Sequence, residues 1–280
     1  MKVLVTGSSG QLGAATVKHL RQHGHNVYGV DIIPAGTTDQ LLDIKDKAAV
    51  EAAAKGIDAI IHTAAIHGKH YELNYPREAF IDTNIYGTLN LLDICVKNGI
   101  SKFLYTSTTS IYGSAMVDAD KAVWVDESLT EMPRDIYDIT KQAAEQLCKD
   151  FFYKEGLQTS VYRVGRFLPE DDNLKINHRL YRGLDERDGA EALRLALGVT
   201  FANFEIFNIS SGSPFNQSET GLLKHSPKRV ILQHYPQAEE IYRAKGWVFP
   251  KTIDRVYVCD KAKKQLGYSP QYTFAYLLHK

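Results

Sequence analysis

Two spacings in this chain could do chemistry. Tyr137 and Lys141 stand four residues apart in Tyr137-Asp138-Ile139-Thr140-Lys141. On a helix, such positions share a face one turn apart. An ammonium beside a phenol favours the phenolate, as would a positively charged nicotinamide. A phenolate can take a proton from an alcohol while hydride leaves the carbon. The same spacing also arises as a plain surface pair on an amphipathic helix, so its company decides. That company is a run of hydroxyls, Thr106, Ser107, Thr108, Thr109 and Ser110, at the end of an expected strand. The second spacing is Gly7-Ser8-Ser9-Gly10-Gln11-Leu12-Gly13, between the apolar run Val3-Leu4-Val5-Thr6 and a helix expected over 14–23. A dinucleotide pyrophosphate needs this order. Gly7 turns tightly off the strand, Gly10 lets the backbone approach the phosphates, and Gly13 lets the helix pack close, its first amide groups facing the anion. Asp31 follows at the end of a second strand, where a carboxylate can accept from both hydroxyls of the adenosine ribose. A carboxylate there repels a 2′-phosphate, and no arginine occurs in the next ten residues to receive one. The cofactor expected is NAD rather than NADP.

Strands are expected at 26–33, 41–44, 59–65, 103–107, 159–164 and 204–209. Helices are expected at 47–55, 78–98, 137–153 and 187–197, with short ones at 237–245 and 260–266. Asp43 falls near the adenine, and the small residues Thr63-Ala64-Ala65 let the fourth strand come close to the cofactor. Strands alternating with helices at this spacing imply βαβ units and a parallel sheet. The fold class expected is α/β, a Rossmann-type doubly wound parallel sheet with a small C-terminal substrate-binding lobe. The dinucleotide-binding domain should span 1–165, with 188–212 returning to it, and the lobe should comprise 166–187 and 213–280.

Bulk properties exclude several classes. Of 280 residues 44% are hydrophobic and 24% charged, and Lys+Arg and Asp+Glu each total 33. A chain without net charge offers no reason to seek a nucleic acid or an anionic membrane as partner. Cys95, Cys148 and Cys259 lie far apart, as expected of reduced cysteines in a cytoplasmic protein. No apolar run approaches the ~20 residues of a membrane span.

The motifs together resemble the extended short-chain dehydrogenases/reductases of the NAD-dependent epimerase/dehydratase group. They are Val5 to Gly13, Asp31, Asp43-Ile44, His62-Thr63-Ala64-Ala65, Asn84-Ile85-Tyr86-Gly87-Thr88-Leu89-Asn90-Leu91-Leu92, Ser107 to Gly113, Tyr137 to Lys141 and Lys261 to Pro270. The resemblance implies that Thr108 hydrogen-bonds the reacting hydroxyl or carbonyl and that Tyr137 is the general acid/base. Lys141 would hold the nicotinamide ribose and lower the tyrosine pKa, and Asn84 would support an active-site water or the surroundings of Lys141. Gly7, Ser9, Gly10, Gln11, Leu12, Gly13, Asp31, Asp43, Ile44, Thr63, Ala64, Ala65, Tyr137 and Lys141 would line the NAD site. The substrate would meet His67, Ser107, Thr108, Tyr137, Arg166 and Arg182. A homodimer through the helices at 78–98 and 137–153 is also implied.

Two departures narrow the reaction. Dehydratases of this group carry an acidic pair after the threonine, whereas Thr109-Ser110 stands here. Many nucleotide-sugar epimerases carry an asparagine after the sixth strand, whereas this chain reads Arg163-Val164-Gly165-Arg166-Phe167-Leu168-Pro169-Glu170. The latter is similar to uronate dehydrogenases, which have a serine where Arg166 stands. Arg163, Arg166, Arg179, Arg182 and Arg187 are candidates for an anion site, because a guanidinium fork suits phosphate or carboxylate. The competing reading, favoured for each arginine singly but less so for all five together, is that most are solvated or pair with Asp171, Asp172, Asp185, Glu186 and Asp188. His62, His67 and His70 suggest a metal, but tyrosine and nicotinamide chemistry requires none. His67, Lys69 and His70 are better read as substrate-loop residues. The expected activity is redox chemistry on a sugar hydroxyl, with nucleotide-sugar epimerisation through a keto intermediate somewhat favoured over a uronate-type dehydrogenase. A catalytically silent NAD-binding regulator is a reading of a different class.

Overall fold

A computed structural model describes residues 1–67, 70 and 73–280. Lys69 lies outside the described residues. Along the chain run β1 (Lys2–Thr6), α1 (Gln11–Gln22), β2 (Asn26–Asp31), β3 (Gln40–Leu41), α2 (Lys47–Ala53) and β4 (Ala59–His62). Next come α3 (Arg77–Ile81), a π turn (Asp82–Tyr86) that joins it to α4 (Gly87–Asn98), and β5 (Lys102–Thr108). β6 (Val123–Val125), α5 (Ile136–Glu155), β7 (Gln158–Val164), α6 (Asp172–Arg179), α7 (Glu186–Leu197) and β8 (Glu205–Ile209) follow. The chain ends with α8 (Thr220–His225), α9 (Pro227–His234), α10 (Ala238–Lys245), β9 (Arg255–Tyr257), α11 (Asp260–Leu266) and α12 (Phe274–Leu278).

Seven strands form one parallel sheet in the order β3-β2-β1-β4-β5-β7-β8. The order reverses between β1 and β4, and ligands of open α/β sheets bind outside the carboxyl ends of the strands at such a crevice. Both faces are covered. Val3, Val5, Ile61 and Leu104 pack with Val17 and Leu20 of α1, Leu193 of α7 and Ala262 of α11. Leu4, Ile60, Phe103 and Val161 pack with Val50 of α2, Leu91 and Ile94 of α4, and Ala144 and Cys148 of α5. Strands buried on both faces read as near-continuous apolar runs, as Val3-Leu4-Val5 and Ile60-Ile61 do.

Three departures from the expected elements matter. The second and fourth strands stop at Asp31 and His62, and only Gln40–Leu41 of the third pairs, so Leu42 to Ile44 lie beyond it. The stretch 114–135, for which no strand or helix was expected, contributes β6, which pairs in parallel with β9 in a separate two-stranded sheet. A third core, formed by Ala122, Ile176, Leu180, Leu223, Val230, Tyr242, Ile253 and Phe274, builds the smaller lobe around these. Ala122 and Trp124 thus pack with residues from 176 to 278 rather than with the main sheet.

Candidate active site

The glycine turn lies off the end of β1. Gly7 has φ +72°, and a Cβ there would stand 2.6 Å from the Ala64 amide nitrogen; a Cβ on Gly13 would stand 2.0 Å from the Gly7 carbonyl oxygen. Neither position tolerates a side chain. Thr63 holds the neighbouring strand end against the turn by donating from Oγ1 to the Thr6 carbonyl at 2.7 Å, and Ala65 follows in the same loop. α1 begins at Gly10 with no side-chain cap, so its first amides are open to an anion. Asp31 lies beside the turn, accepting from the Ser9 amide at 3.0 Å and the Ile33 amide at 3.0 Å. A carboxylate has lone pairs beyond these two. This cradle fits a dinucleotide.

Other expected cofactor residues differ in how they stand. Gln11 is exposed and donates to Glu186 at 3.1 Å, while Leu12 is buried in the core below the turn. Asp43 caps its own turn, accepting from the Lys45 amide at 3.0 Å. The Ile44 side chain is buried against Gly87, where a Cβ would meet its Cδ1 at 2.6 Å. It is a packing residue that keeps α4 close to the end of β3.

The hydroxyl run and the tyrosine helix meet at the end of β5. Thr108 ends that strand, and its Oγ1 accepts from the Ser110 amide at 3.1 Å. Thr108 also lies near enough to the Tyr137 phenol to lower its pKa, although burial dominates and holds the phenol well above its ordinary value. Lys141 lies one turn further along α5, buried, donating from Nζ to the Thr106 carbonyl at 2.6 Å over the Tyr105 ring. Burial pushes its pKa down to about 7, with Glu145 pulling the other way. Ser107 is buried with its hydroxyl unpartnered. His67 sets its ring against Tyr137, with centroids 6.3 Å apart, and against His70 at 4.9 Å.

Asn84 sits in the π turn, a feature frequent at functional sites. Its side chain clamps the backbone of Ile66, accepting from the amide at 2.9 Å and donating to the carbonyl at 2.8 Å, and it donates to Thr140 Oγ1 at 3.0 Å. It thus ties the loop bearing His67 to the turn of α5 between Tyr137 and Lys141. His62 is fully buried, with Nδ1 on Thr6 Oγ1 at 2.7 Å and Nε2 on Thr88 Oγ1 at 3.1 Å. Both nitrogens are taken by hydroxyls, and burial holds its pKa well below the ordinary value.

The five arginines separate into two groups. Arg163 is buried between Glu145, at 2.7 and 3.1 Å, Glu131 and the Tyr112 hydroxyl. Arg179 and Arg187 both pair with Asp185, at 3.0 and 2.7 Å. Arg179 and Arg187 thus pair within the acidic set that the competing reading named, and Arg163 pairs with glutamates outside it. Arg166 and Arg182 stand at the carboxyl edge of the sheet. Val164 pairs with Thr108 across β5 and β7, and Arg166 follows two residues later. Arg182 donates to His178 Nε2 at 2.7 Å, His178 Nδ1 bonds Glu170 at 2.7 Å, and Glu170 takes Arg166 at 2.5 Å. The Arg182 Nε is buried without a partner.

One residue escaped the sequence reading. Asp138 is buried and accepts from Ser110 Oγ at 2.5 Å and from the Arg134 amide at 3.3 Å. Burial raises its pKa. Its place beside Tyr137 was the available signal; that it reaches back to Ser110 depends on how α5 docks on β5.

A doubly wound parallel sheet, a glycine cradle at its switch point and a tyrosine, lysine and threonine at the strand ends define a dinucleotide-dependent redox class. Residues 3–180 match the NAD dependent epimerase/dehydratase family, and the chain belongs to it. NAD is its cofactor. Among curated relatives, a uronate dehydrogenase of Pseudomonas putida is 26% identical over 62% of this chain and 64% of its own length. A 3-beta-hydroxysteroid dehydrogenase of Mycolicibacterium neoaurum is 26% identical over 97% of this chain and 88% of its own. Several curated relatives, including the first of these, are spanned over only 39% to 64% of their length. Among solved structures, the UDP-N-acetylglucosamine 4-epimerase of Bacillus cereus superposes with a TM-score of 0.71 at 25% identity, over 99% of this chain and 96% of that one.

Proposed function

We propose that the protein is a uronate-type dehydrogenase, oxidising a ring hydroxyl of a sugar that bears one anionic group. The observation that carries this reading is Thr108 beside the Tyr137 phenol with Lys141 buried one turn behind. Thr108 orients the substrate hydroxyl, and Tyr137 takes its proton. Thr108 lowers the cost of the phenolate, which burial and the nearby carboxylates of Asp138 and Asp135 oppose, and the nicotinamide cation of bound NAD+ would favour it. NAD+, when bound, supplies the hydride acceptor. The glycine turn and Asp31 hold the adenosine and pyrophosphate end, and Lys141 and Tyr137 flank the nicotinamide ribose. Arg166 and Arg182 receive the anionic group. Arg163, Arg179 and Arg187 are engaged by carboxylates and Arg166 already pairs with Glu170, so the guanidinium with an unpartnered nitrogen at this edge is Arg182, which suits a single carboxylate better than a pyrophosphate.

Nucleotide-sugar epimerisation is the second reading, favoured by the resemblance in fold to the Bacillus cereus epimerase over nearly its whole length. There the keto sugar stays bound and is reduced on its other face. NADH accumulating in proportion to consumed glucuronate or galacturonate is expected, with Tyr137→Phe at least a thousandfold slower yet still binding NAD. A UDP-hexose converted to its epimer without net NADH would favour epimerisation, and a steroid alcohol oxidised in preference to either would overturn both. Should Tyr137→Phe leave every activity unchanged, the chain is a silent NAD-binding regulator.

Tyr86 at the start of α4, and Ile139 and Tyr153 on α5, are exposed. Their exposure supports homodimerisation through these two helices.

A further inference from the structure

The far end of α1 carries a second cluster of ligating groups, remote from the cleft. His19 lies in the last turn of α1 and His23 at its C-cap. Glu191 faces them from α7, which packs closely on α1 where Gly189 meets Leu12. His19 Nε2 is 2.7 Å from Glu191 Oε2, the two imidazole rings are 4.3 Å apart, and one ligand atom from each of the three residues lies within 4.8 Å of the others. The cluster stands about 18 Å along the helix from the glycine turn, at 1.5 Å per residue.

We infer that His19, His23 and Glu191 form a binding site for a zinc-class divalent cation. Two histidines four apart on a helix present their rings to one point. His23 Nδ1 donates to the His19 carbonyl at 2.8 Å, which leaves its Nε2 as the lone-pair nitrogen. This is the outer-shell carbonyl contact that fixes a metal-binding imidazole. The C-terminal end of α1 carries the negative end of the helix dipole, which favours a cation. Two imidazoles and one carboxylate select zinc, nickel or copper over calcium and magnesium, which prefer all-oxygen sites. Water completes the coordination.

Arg194 opposes the ion. It holds both oxygens of Glu191, at 2.6 and 2.7 Å, and it adds a positive charge. Binding displaces the hydrogen between His19 and Glu191 and at least one of the Arg194 bonds. The ion would then join α1, whose other end forms the dinucleotide cradle, to α7.

The test is calorimetric titration of untagged, chelator-treated protein with Zn²⁺, repeated with Co²⁺ for its visible spectrum. One equivalent is expected, with a raised thermal midpoint. His19→Ala and His23→Ala should each weaken binding tenfold or more and abolish the thermal shift. Arg194→Ala should tighten binding by releasing Glu191, a gain that misfolding cannot mimic. His70→Ala tests the other histidine pair, by Tyr137, and should leave the isotherm unchanged. Binding that survives in His19→Ala and His23→Ala, binding lost only in His70→Ala, or neither heat nor thermal shift at millimolar Zn²⁺, would overturn the site.

Discussion

Lys141 is buried and its pKa lies at about 7, against an ordinary 10.5, and this has a measurable consequence for stability. In the unfolded chain its amine stays protonated until the pH approaches 10.5. In the folded, ligand-free protein it has lost half its protons by pH 7. Folding therefore expels a proton across this window. The stability tied to Lys141 is whole above the unfolded pKa, is lost as the pH falls toward 7, and changes little below that. Each pH unit inside the window is worth about 1.4 kcal/mol for a full proton. Because the folded state still holds half a proton at pH 7, the gain from pH 7 to 8.5 is about 1.5 kcal/mol. Lys141→Met removes the titration and fills the same volume. It also gives up the bond to the Thr106 carbonyl, a loss that does not vary with pH. Urea unfolding of both proteins without cofactor at pH 7.0 and 8.5 isolates the effect. The buried thiols Cys95, Cys148 and Cys259, whose pKa values are raised by burial, are present in both proteins, so their effect largely cancels in the difference. Their contribution falls as the pH rises through the unfolded thiol range. The difference in stability between wild type and variant should change by about 1.5 kcal/mol in favour of the wild type on going to pH 8.5. Parallel changes in the two proteins would refute the reasoning, since Lys141 would then be charged in the folded state throughout.

Other perturbations follow from the same geometry. Gly7→Ala places a Cβ 2.6 Å from the Ala64 amide at φ +72°, so NADH affinity by fluorescence titration should fall at least tenfold; retained affinity would mean that the turn can relax. Asp31→Asn removes the charge that repels a 2′-phosphate, so the ratio of NADP to NAD affinity should rise; an unchanged ratio would remove Asp31 from cofactor selection. Glu145→Gln leaves Arg163 without its buried counter-charge, and breaking such a pair costs about 3–5 kcal/mol, readable as a lowered urea midpoint. Ile139→Asp puts a carboxylate on the exposed face of α5 and should convert a dimer to monomer in light scattering; a wild-type protein already monomeric would sink that proposal.

The residues differ in how far they could be read from sequence. The glycine turn, Asp31 and the Tyr137–Lys141 pair were legible because local geometry carries them: a strand, a tight turn and a helix face. The seven-stranded sheet was legible for the same reason, since each buried strand is a short apolar run. The arginines were not. Arg163 pairs with Glu145 on a neighbouring helix and with Glu131 in a loop, contacts that no spacing announces. The small lobe was read only coarsely because β6 and β9 are three residues each and lie more than a hundred residues apart in sequence. Their pairing depends on tertiary docking rather than on period.

Asp138 bears most directly on the reaction. In sequence, Thr109-Ser110 stands where an eliminating enzyme of this group places two acids, so the end of β5 lacks its own proton donor for expelling water. The structure brings a carboxylate to that place from the other side, on α5, but behind Ser110. Asp138 is 1% exposed, one of its oxygens takes the Ser110 hydroxyl and the other the Arg134 amide. A carboxylate so enclosed cannot touch a substrate carbon or its leaving hydroxyl. What it can do is orient. With the Ser110 proton committed to Asp138, the Ser110 oxygen can only accept along its contact with Thr108, 3.0 Å away. The Ser110 amide already donates to the Thr108 oxygen. The Thr108 proton is therefore left to Ser110, the phenol of Tyr137 or a substrate oxygen. A threonine arranged this way can steady a hydroxyl or a carbonyl during hydride transfer, and nothing in the chain from Asp138 to Tyr137 delivers the second acid that elimination demands. The geometry thus agrees with the missing acidic pair, by an independent route, and supports the proposal that the site exchanges hydride and proton at one carbon.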